Sequence, residues 1–304
     1  MEIVEPEPVA YIDNYDKKYV TLSNGLQMPI IGFGVYLTPP EETESCVLEA
    51  IKAGYRLIDT AQAYCNEEGV GNAIQKCGIP RNELFITTKV MISNPNYEKA
   101  RESVLISMKK LKVDYIDLVL IHRPFSDYFS IWRALEDLYD EGKLKAIGVS
   151  NFQPDRLTDI CMYNRYRPMV NQIETHPFYQ QEVAHQWMQR FNVQHESWSP
   201  LTNRRLKELF SNPVISSIAK NHNKTPAQVA LRFNIQRGIV VIPKSTHKER
   251  IIENFNVFDF VLTKEEMEQI KNIDQDQASM MRADDPRNAE RLKKMIEKRE
   301  SKPK

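Results

Sequence analysis

Short apolar runs rich in β-branched and aromatic residues recur along this chain at a nearly constant interval. Their starting points lie about 23 to 31 residues apart, except for a last gap of about 45. That interval accommodates one strand, one helix and two loops, so it predicts a repeated strand–helix unit. The runs span residues 32–36, 55–58, 84–88, 115–121, 144–149, 169–173, 193–197 and 239–242.

Helical patterns fill several of the intervals between these runs. Apolar residues three and four apart indicate amphipathic helices over 41–53, 98–111 and 130–139, and the long last gap holds two more, over 213–222 and 226–236. Strands that alternate with helices must run parallel, because each helix returns the chain to the same end of the sheet. Open parallel sheets usually have fewer strands than eight. The alternation therefore favours an α/β fold of the closed (β/α)8 TIM barrel type.

Three segments lie outside this repeat. The Asn24–Gly25 pair between two short apolar stretches predicts an N-terminal β-hairpin over 21–29. A charged stretch over 288–299 predicts an extra C-terminal helix, which we expect to be a surface appendage rather than a functional element. The predicted organisation is a flexible N-terminal extension (1–18), a single barrel domain (19–285) and a charged helical tail (286–304).

The overall composition excludes several classes of partner. Lys and Arg total 41 and Asp and Glu total 41, so the formal net charge is zero and neither nucleic acid nor a membrane is expected as a partner. No apolar run approaches the roughly 18 residues that a membrane span needs. The acidic N-terminus lacks the basic and apolar regions of a secretory signal. The four cysteines show no CxxC spacing, which is typical of a reducing compartment. We therefore expect a cytoplasmic protein and, since barrels of this kind are often single chains, a monomer.

Polar residues follow the apolar runs directly, at the strand ends where barrels of this class place their chemistry. A single such residue could be a solvated strand end, but a full set on one rim indicates a site. Its members are Asp59, Lys89, His122, Ser150, Asn151, Gln172, Trp198, Ser199, Lys244 and Ser245.

The neighbouring strand ends predict a specific chemistry. Barrel closure brings Asp59, Lys89 and His122 together, and Tyr64 follows Asp59 in the loop above the same rim. A phenol with a pKa near about 10 is a poor proton donor, but a nearby ammonium lowers that pKa. Such a set can protonate an oxygen whose carbon receives a hydride. Because no side chain donates hydride, a cofactor must supply it.

Other common site types are not supported by the sequence. Gly32-x-Gly34 and Gly69-x-Gly71 both lack the third glycine of a dinucleotide fingerprint, since Leu37 and Ile74 stand there. There is no P-loop, HExxH or GxSxG motif, and the histidines are scattered, so we expect no metal site.

Taken with their order along the chain, these residues resemble the aldo-keto reductase superfamily, over about residues 19–285. The sequence as a whole resembles bacterial members that reduce small aldehydes and ketones. The resemblance rests on GYRLIDTA at 54–61 followed by Tyr64, Asn66 and Glu67; on LIHRP at 120–124; on AIGVSNF at 146–152; on MVNQ at 169–172; and on IPKSTHKER at 242–250 followed by Glu253 and Asn254.

The resemblance implies catalytic roles for four residues. Tyr64 would be the general acid, Lys89 its pKa-lowering partner, Asp59 the carboxylate on Lys89, and His122 the group that orients the carbonyl. It also implies an NADPH/NADP+ site formed by Gly34, Val35, Tyr36, Asp59, Ser150, Asn151, Gln172, Trp198, Ser199, Pro200, Leu201, Lys244, Ser245, Thr246, Arg250, Glu253 and Asn254. Within that site Ser150, Asn151 and Gln172 would bind the carboxamide, Trp198 would stack on the nicotinamide, and Lys244 to Arg250 would hold the 2′-phosphate.

The preference for NADPH over NADH has independent support in the residues. Lys244, Ser245 and Arg250 lie at the turn into a helix beginning near Lys248, and two cations with a helix N-terminus favour a phosphate dianion. The alternative is an ordinary basic loop on the surface.

Departures from the family pattern concern the substrate pocket. Arg123 stands where many relatives have Trp, Met91 replaces another frequent aromatic, and an unusual loop occupies 202–205. The substrate would contact Tyr36, Tyr64, His122 and Arg123. Arg123 would either favour an anionic substrate or pair with a local acid such as Asp127.

The sequence therefore predicts an NADP-dependent oxidoreductase that reduces small carbonyl substrates. The alternative from a different class is a cofactor-binding barrel with a regulatory or structural role, against which the intact set of Asp59, Tyr64, Lys89 and His122 speaks. A metal-dependent hydrolase would need a ligand cluster that the sequence lacks.

Overall fold

A computed structural model describes residues 18–280 and 282–300. A short antiparallel hairpin, β1 (Tyr19–Thr21) and β2 (Gln27–Pro29), comes first and turns at Asn24 and Gly25, as predicted. Gly25 has φ +87°, a left-handed conformation that glycine adopts without a steric penalty. Asn24 Nδ2 donates to the carbonyl of Lys145 at 2.9 Å, and Lys145 lies at the start of a barrel strand. The hairpin therefore covers the N-terminal end of the barrel.

Eight parallel strands form the centre of the molecule, in sequence order around the sheet. They are β3 (Gly32–Gly34), β4 (Leu57–Asp59), β5 (Phe85–Val90), β6 (Ile116–Ile121), β7 (Leu144–Ser150), β8 (Val170–Glu174), β9 (Gln194–Trp198) and β10 (Val240–Val241). The last strand returns to the first, since Ile31 pairs with Val241 and the Gly34 amide donates to the carbonyl of Pro243 at 3.1 Å. The barrel is nearly closed, and the predicted (β/α)8 fold class is confirmed.

Burial on both faces explains the composition of the strands. Every residue of β5 and β6 is buried, and β6 is accordingly apolar at five of its six positions, with no alternation between polar and apolar residues. The strands also approach closely: a Cβ built at Gly148 would lie 2.5 Å from the carbonyl oxygen of Val170 on the next strand. A side chain at that position would push β7 and β8 apart.

Helices return the chain between strands and surround the barrel. They are α1 (Pro40–Ala53), α2 (Glu67–Lys76), α3 (Tyr97–Leu111), α4 (Tyr128–Asp140), α5 (Pro154–Met162), α6 (Glu182–Arg190), α7 (Leu206–Ser211), α8 (Pro213–Asn221), α9 (Pro226–Gln236), α10 (Lys248–Phe255), α11 (Lys264–Lys271) and α12 (Arg287–Glu300). Local signals set their starts. Thr225 caps α9 in a capping box with Pro226 at the first position, and Thr263 caps α11 in the same way.

The predictions for the N-terminal extension and for the C-terminal helix have different outcomes. The expected flexibility of residues 1–18 concerns a stretch that lies, except for its last residue, outside the described residues. The predicted C-terminal helix is present as α12, but it is not confined to the outer surface. Leu292, Met295 and Ile296 of α12 line the cavity at the C-terminal ends of the barrel strands. The tail therefore contributes a wall to that cavity.

Candidate active site

A cavity of about 500 Å³ opens at the C-terminal ends of the barrel strands. Fourteen of the site residues predicted from the sequence line this cavity. They are Gly34, Tyr36, Asp59, Tyr64, His122, Arg123, Ser150, Asn151, Gln172, Trp198, Ser199, Pro200, Leu201 and Lys244. Parallel strands end at the same rim, so residues far apart in sequence meet there.

A buried ion pair lies behind the cavity wall. Lys89 on β5 is fully buried, and its Nζ contacts both carboxylate oxygens of Asp59 on β4, at 2.6 and 2.7 Å, and the carbonyl of Thr60 at 3.0 Å. Burial works against the charge of Lys89, but the Asp59 carboxylate overrides it and raises the pKa of the ammonium above its ordinary value. Lys89 therefore keeps its charge although it is enclosed in protein.

Tyr64 lies at the rim in a loop that several buried hydrogen bonds hold in place. It ends a 3-10 turn, Gln62–Tyr64, that follows β4. Thr60 Oγ1 donates to Asn66 Oδ1 at 2.8 Å, and Thr88 Oγ1 donates to Glu67 at 2.7 Å. These bonds give Asn66 and Glu67, which stand beside Tyr64 in the sequence motif, a positioning role in the loop.

The electrostatics of Tyr64 differ from the simple expectation. The Nζ of Lys89 lies 5.2 Å from the centroid of the Tyr64 ring. Burial raises the pKa of Tyr64 above its ordinary value, and this exceeds the lowering by the Lys89 charge. Lys89 thus acts on the pKa of Tyr64 in the expected direction, but desolvation of the phenolate outweighs the ammonium. The phenol stays protonated at neutral pH.

His122 follows β6 and faces Tyr64, with ring centroids 5.8 Å apart and the rings nearly perpendicular. Burial, together with the charges of Lys89 and Arg123, holds the pKa of the imidazole well below its usual range. The ring is therefore neutral at physiological pH and carries one N–H donor. Within the described part of the chain, the imidazole has no hydrogen-bond partner.

The residues expected at the nicotinamide carboxamide form a network with one another. Asn151 Nδ2 donates to Ser150 Oγ at 2.9 Å, and Asn151 Oδ1 accepts from the Trp198 indole at 3.0 Å. Ser150 Oγ donates to the carbonyl of Gln172 at 2.9 Å. Asn151 holds this place with φ +65°, a conformation that asparagine tolerates better than most residues. The network fixes the Trp198 ring in the wall.

Glu196 is a site residue that the sequence analysis missed. It is fully buried in β9, and the Gln172 amide donates both to Glu196 Oε2 at 2.9 Å and to Asp59 Oδ2 at 2.8 Å. Its other oxygen, Oε1, is buried with no hydrogen-bond partner among the described residues. Burial, reinforced by the Asp59 charge, raises the pKa of Glu196 to about 8. The signal in the sequence was a carboxylate inside a predicted buried strand.

The opposite end of the cavity presents groups suited to phosphates. Ser199 Oγ is buried without a hydrogen-bond partner among the described residues, at a loop where Pro200 and Leu201 also line the cavity. Gly34 allows β3 to pack closely against the segment after β10, since a Cβ there would lie 3.1 Å from the Ile242 carbonyl. Lys244 and Arg250 are exposed, and neither forms an ion pair with any described residue.

The other predicted cofactor contacts do not line the cavity itself. Val35 is fully buried and does not line the cavity; its carbonyl accepts from Asn66 Nδ2 at 2.9 Å. Glu253 accepts from Thr225 Oγ1 at 2.8 Å. Ser245 is buried and accepts from the amide of His247, whereas Thr246 is exposed and Asn254 is buried, all at the turn into α10 or on it. None of these residues is among those that line the cavity.

The substrate side of the cavity is largely apolar. Met91, Ile92, Leu206, Met280 and the three apolar residues of α12 line it, and Arg123 is a charged exception. The sequence analysis identified Met91 and Arg123 as departures but did not predict the contribution of α12. That contribution depends on a fold-back of the tail that no local pattern encodes.

The described residues contain neither a cluster of metal ligands nor a membrane-spanning helix. No group of three or more His, Cys, Asp or Glu residues in the described ranges is arranged to hold a metal ion. In the same part of the chain, no helix combines the length and apolarity needed to cross a membrane.

Comparison with known proteins places this geometry in a family. The Aldo/keto reductase family profile matches residues 31–275. A 9,11-endoperoxide prostaglandin H2 reductase of Trypanosoma cruzi is 48% identical over 86% of this chain and 94% of its own length. A glyoxal reductase of Bacillus subtilis is 46% identical over the same shares.

Solved structures agree with the sequence relatives. An aldo-keto reductase from a Medee basin deep-sea metagenome library superimposes with a TM-score of 0.86 at 44% identity, covering 88% of this chain and 98% of that one. A Bombyx mori aldo-keto reductase in complex with NADP has a TM-score of 0.82 at 33% identity, covering 86% and 94%. This chain belongs to the aldo/keto reductase family. It is an NADP-dependent oxidoreductase, as the sequence predicted, and NADP(H) is its cofactor.

Proposed function

We propose that this protein reduces small aldehydes and ketones to alcohols, with NADPH as hydride donor and Tyr64 as general acid. One observation carries the proposal. The protonated phenol of Tyr64 lies in the cavity wall, backed by the buried Lys89–Asp59 pair and faced by the neutral His122 imidazole. The names of the relatives, which include a glyoxal reductase, support a carbonyl substrate.

The residues would act in a defined order on the substrate oxygen. The N–H of His122 and the O–H of Tyr64 donate hydrogen bonds to the carbonyl oxygen and hold it. When bound, NADPH would supply the hydride that the carbonyl carbon accepts. As the oxygen gains charge, Tyr64 gives it a proton, and the Lys89 ammonium stabilises the phenolate left behind. Asp59 keeps Lys89 charged and in place throughout, and a solvent proton restores the phenol.

Several residues fit the cofactor. Ser150, Asn151 and the Oε1 of Gln172 would bind the carboxamide, and Trp198 would lie against the nicotinamide ring. The unpartnered Oγ of Ser199 suits a pyrophosphate oxygen. Lys244 and Arg250, which form no internal ion pair with described residues, suit a 2′-phosphate. This donor set favours NADPH over NADH.

A regulatory or structural barrel remains the alternative function. It would bind the cofactor but would not need an acid on a buried ion pair. The fully buried Lys89 argues against it, because an enclosed ammonium is costly unless a function retains it. The cytoplasmic location and the monomeric state stay predictions of the sequence analysis.

Tyr64→Phe separates these functions. The variant removes the proton and keeps the ring, so NADPH-dependent reduction of an uncharged aromatic aldehyde should fall by about 10²–10⁴-fold. NADPH binding, followed by quenching of tryptophan fluorescence, should change little. Tyr163→Phe serves as the control, since Tyr163 is 77% exposed. A Tyr64→Phe enzyme that keeps more than about a tenth of wild-type turnover would remove Tyr64 from the role of acid.

A further inference from the structure

Arg123 brings a guanidinium to the rim of the proposed active site. It follows His122 directly at the end of β6 and lines both the main cavity and a small adjoining recess. The following residue, Pro124, restricts Arg123 to extended geometry and ends the regular strand. The side chain therefore lies over the rim beside the reacting groups rather than turning away from His122.

The local acid that could have neutralised Arg123 is engaged elsewhere. The Asp127 carboxylate caps α4 and accepts from the Ser130 amide at 3.0 Å and from Ser130 Oγ at 2.5 Å. The expected alternative, an Arg123–Asp127 pair, is therefore not formed. No described residue makes an ion pair or a hydrogen bond with the Arg123 side chain.

One oxygen of a second acid nearby also accepts from other donors. Glu174, at the end of β8, borders the same recess as Arg123. Its Oε1 accepts from the Ser279 amide at 2.7 Å and from the Ser279 hydroxyl, and His176 Nε2 lies 3.2 Å away. Glu174 thus contributes a distant opposite charge to Arg123 but no direct contact.

The surroundings of Arg123 favour an anion from outside the chain. Burial, together with the like charge of Arg291 on α12, lowers the pKa of Arg123, while Tyr64, Tyr36 and Glu174 oppose this. A guanidinium that is partly desolvated and carries five unused donors is costly to keep, unless a ligand supplies the acceptors. Carboxylates match its planar fork with two parallel hydrogen bonds.

We infer that this enzyme selects carbonyl substrates that carry a carboxylate, and that Arg123 binds this carboxylate while the carbonyl oxygen lies between Tyr64 and His122. The inference rests on the proposed reductase function. The apolar wall formed by Met280, Leu292 and Ile296 takes the carbon skeleton. Arg123 is then a determinant of specificity and leaves the hydride and proton steps unchanged.

Two substrates of matched shape test the inference. 4-Carboxybenzaldehyde carries the anion, and methyl 4-formylbenzoate is its neutral counterpart. For Arg123→Gln, kcat/KM for the carboxylate should fall by about tenfold to hundredfold, mainly through KM, while the ester changes little. Arg123→Lys keeps the charge but cannot form two parallel hydrogen bonds, so its kcat/KM for the carboxylate should lie between those of Arg123→Gln and the wild type. Arg133→Gln, at an exposed arginine on α4, removes the same charge away from the cavity and should match wild type.

The outcomes distinguish the two levels of the argument. A wild-type enzyme that reduces neither aldehyde would contradict the proposed reductase function itself. A wild-type enzyme that reduces the ester, but whose ratio of carboxylate to ester efficiency is unchanged in Arg123→Gln, would overturn the role of Arg123. Equal losses on both substrates with a lowered melting temperature would also overturn it, since Arg123 would then serve as a structural countercharge to Glu174. NADPH affinity, measured in parallel, should be unaffected.

Discussion

Replacement of Glu196 by Gln should change how the stability of this protein depends on pH. Glu196 is fully buried beside Asp59, and the Gln172 amide bridges the two carboxyl groups. Burial and the Asp59 charge raise its pKa from an ordinary 4.5 to about 8. Glutamine keeps an acceptor for the Gln172 amide but cannot ionise, so it imitates the protonated acid at every pH.

The sign follows from the raised pKa. Below about pH 4.5 the carboxyl is protonated in both folded and unfolded chains, so it contributes no pH dependence there. As the pH rises to about 8, the unfolded chain releases the proton and the folded chain retains it, which progressively destabilises the wild type. The limiting slope is about 1.4 kcal/mol per pH unit for one group. For a chain of this size that corresponds to roughly 2 °C in melting temperature per pH unit.

Thermal or urea unfolding of both proteins across pH 4.5–8 provides the assay. The melting temperature of Glu196→Gln minus that of the wild type should increase steadily with pH and level off near pH 8. Glu102→Gln, at an exposed position of α3, is the control and should show no such increase. A difference that stays flat, or that decreases as the pH rises, would refute the assignment of a neutral carboxyl to Glu196.

The remaining predictions concern the cofactor and the histidine. Lys244→Ala and Arg250→Ala should each weaken NADPH binding by about tenfold to hundredfold and leave NADH binding nearly unchanged, because each removes a charge-assisted contact to a group that NADH lacks. Lys220→Ala, on the surface of α8, is the control. Equal losses for both cofactors would show that the 2′-phosphate is bound elsewhere. His122→Phe should lower carbonyl turnover by about 10²–10³-fold with an unchanged melting temperature, because it removes a donor to the carbonyl oxygen and keeps a flat ring. A variant that loses stability but keeps normal turnover per folded molecule would show that His122 serves only in packing. Because the pKa of His122 lies well below 6.5, wild-type turnover should show no histidine titration between pH 6 and 7.

Much of the fold could be predicted from the chain alone, because each strand is encoded locally. A parallel strand that is buried on both faces is mostly apolar, so β6 stands out as a nearly continuous apolar run. The regular spacing of such runs requires a returning helix each time. The site was predictable for a related reason: a polar residue directly after a buried strand lies at the rim, and the closed barrel places Asp59, Lys89 and His122 on neighbouring strands.

The net charge state of the site could not be predicted in the same way. The sequence analysis expected the Lys89 ammonium to lower the pKa of Tyr64, and the ammonium does act in that direction. Only the tertiary structure shows how deeply the phenol is buried, and burial proves to be the larger effect. Glu196 was missed for the same reason, since its effect depends on Gln172 and Asp59, which reach it from other strands.

The sequence by itself determined the alternating pattern, the closed barrel and the identity of the four candidate catalytic residues, because these depend on local periodicity and on strand ends. Only the tertiary structure decided which acidic groups are available to form an ion pair with Arg123. It assigned Asp127 to a helix cap and Glu174 to Ser279, which leaves Arg123 without an ion-pair partner among the described residues. It also brought Leu292, Met295 and Ile296 against the cavity. Such contacts join residues far apart in sequence, and their energies depend on distance and burial that exist only once the chain has folded.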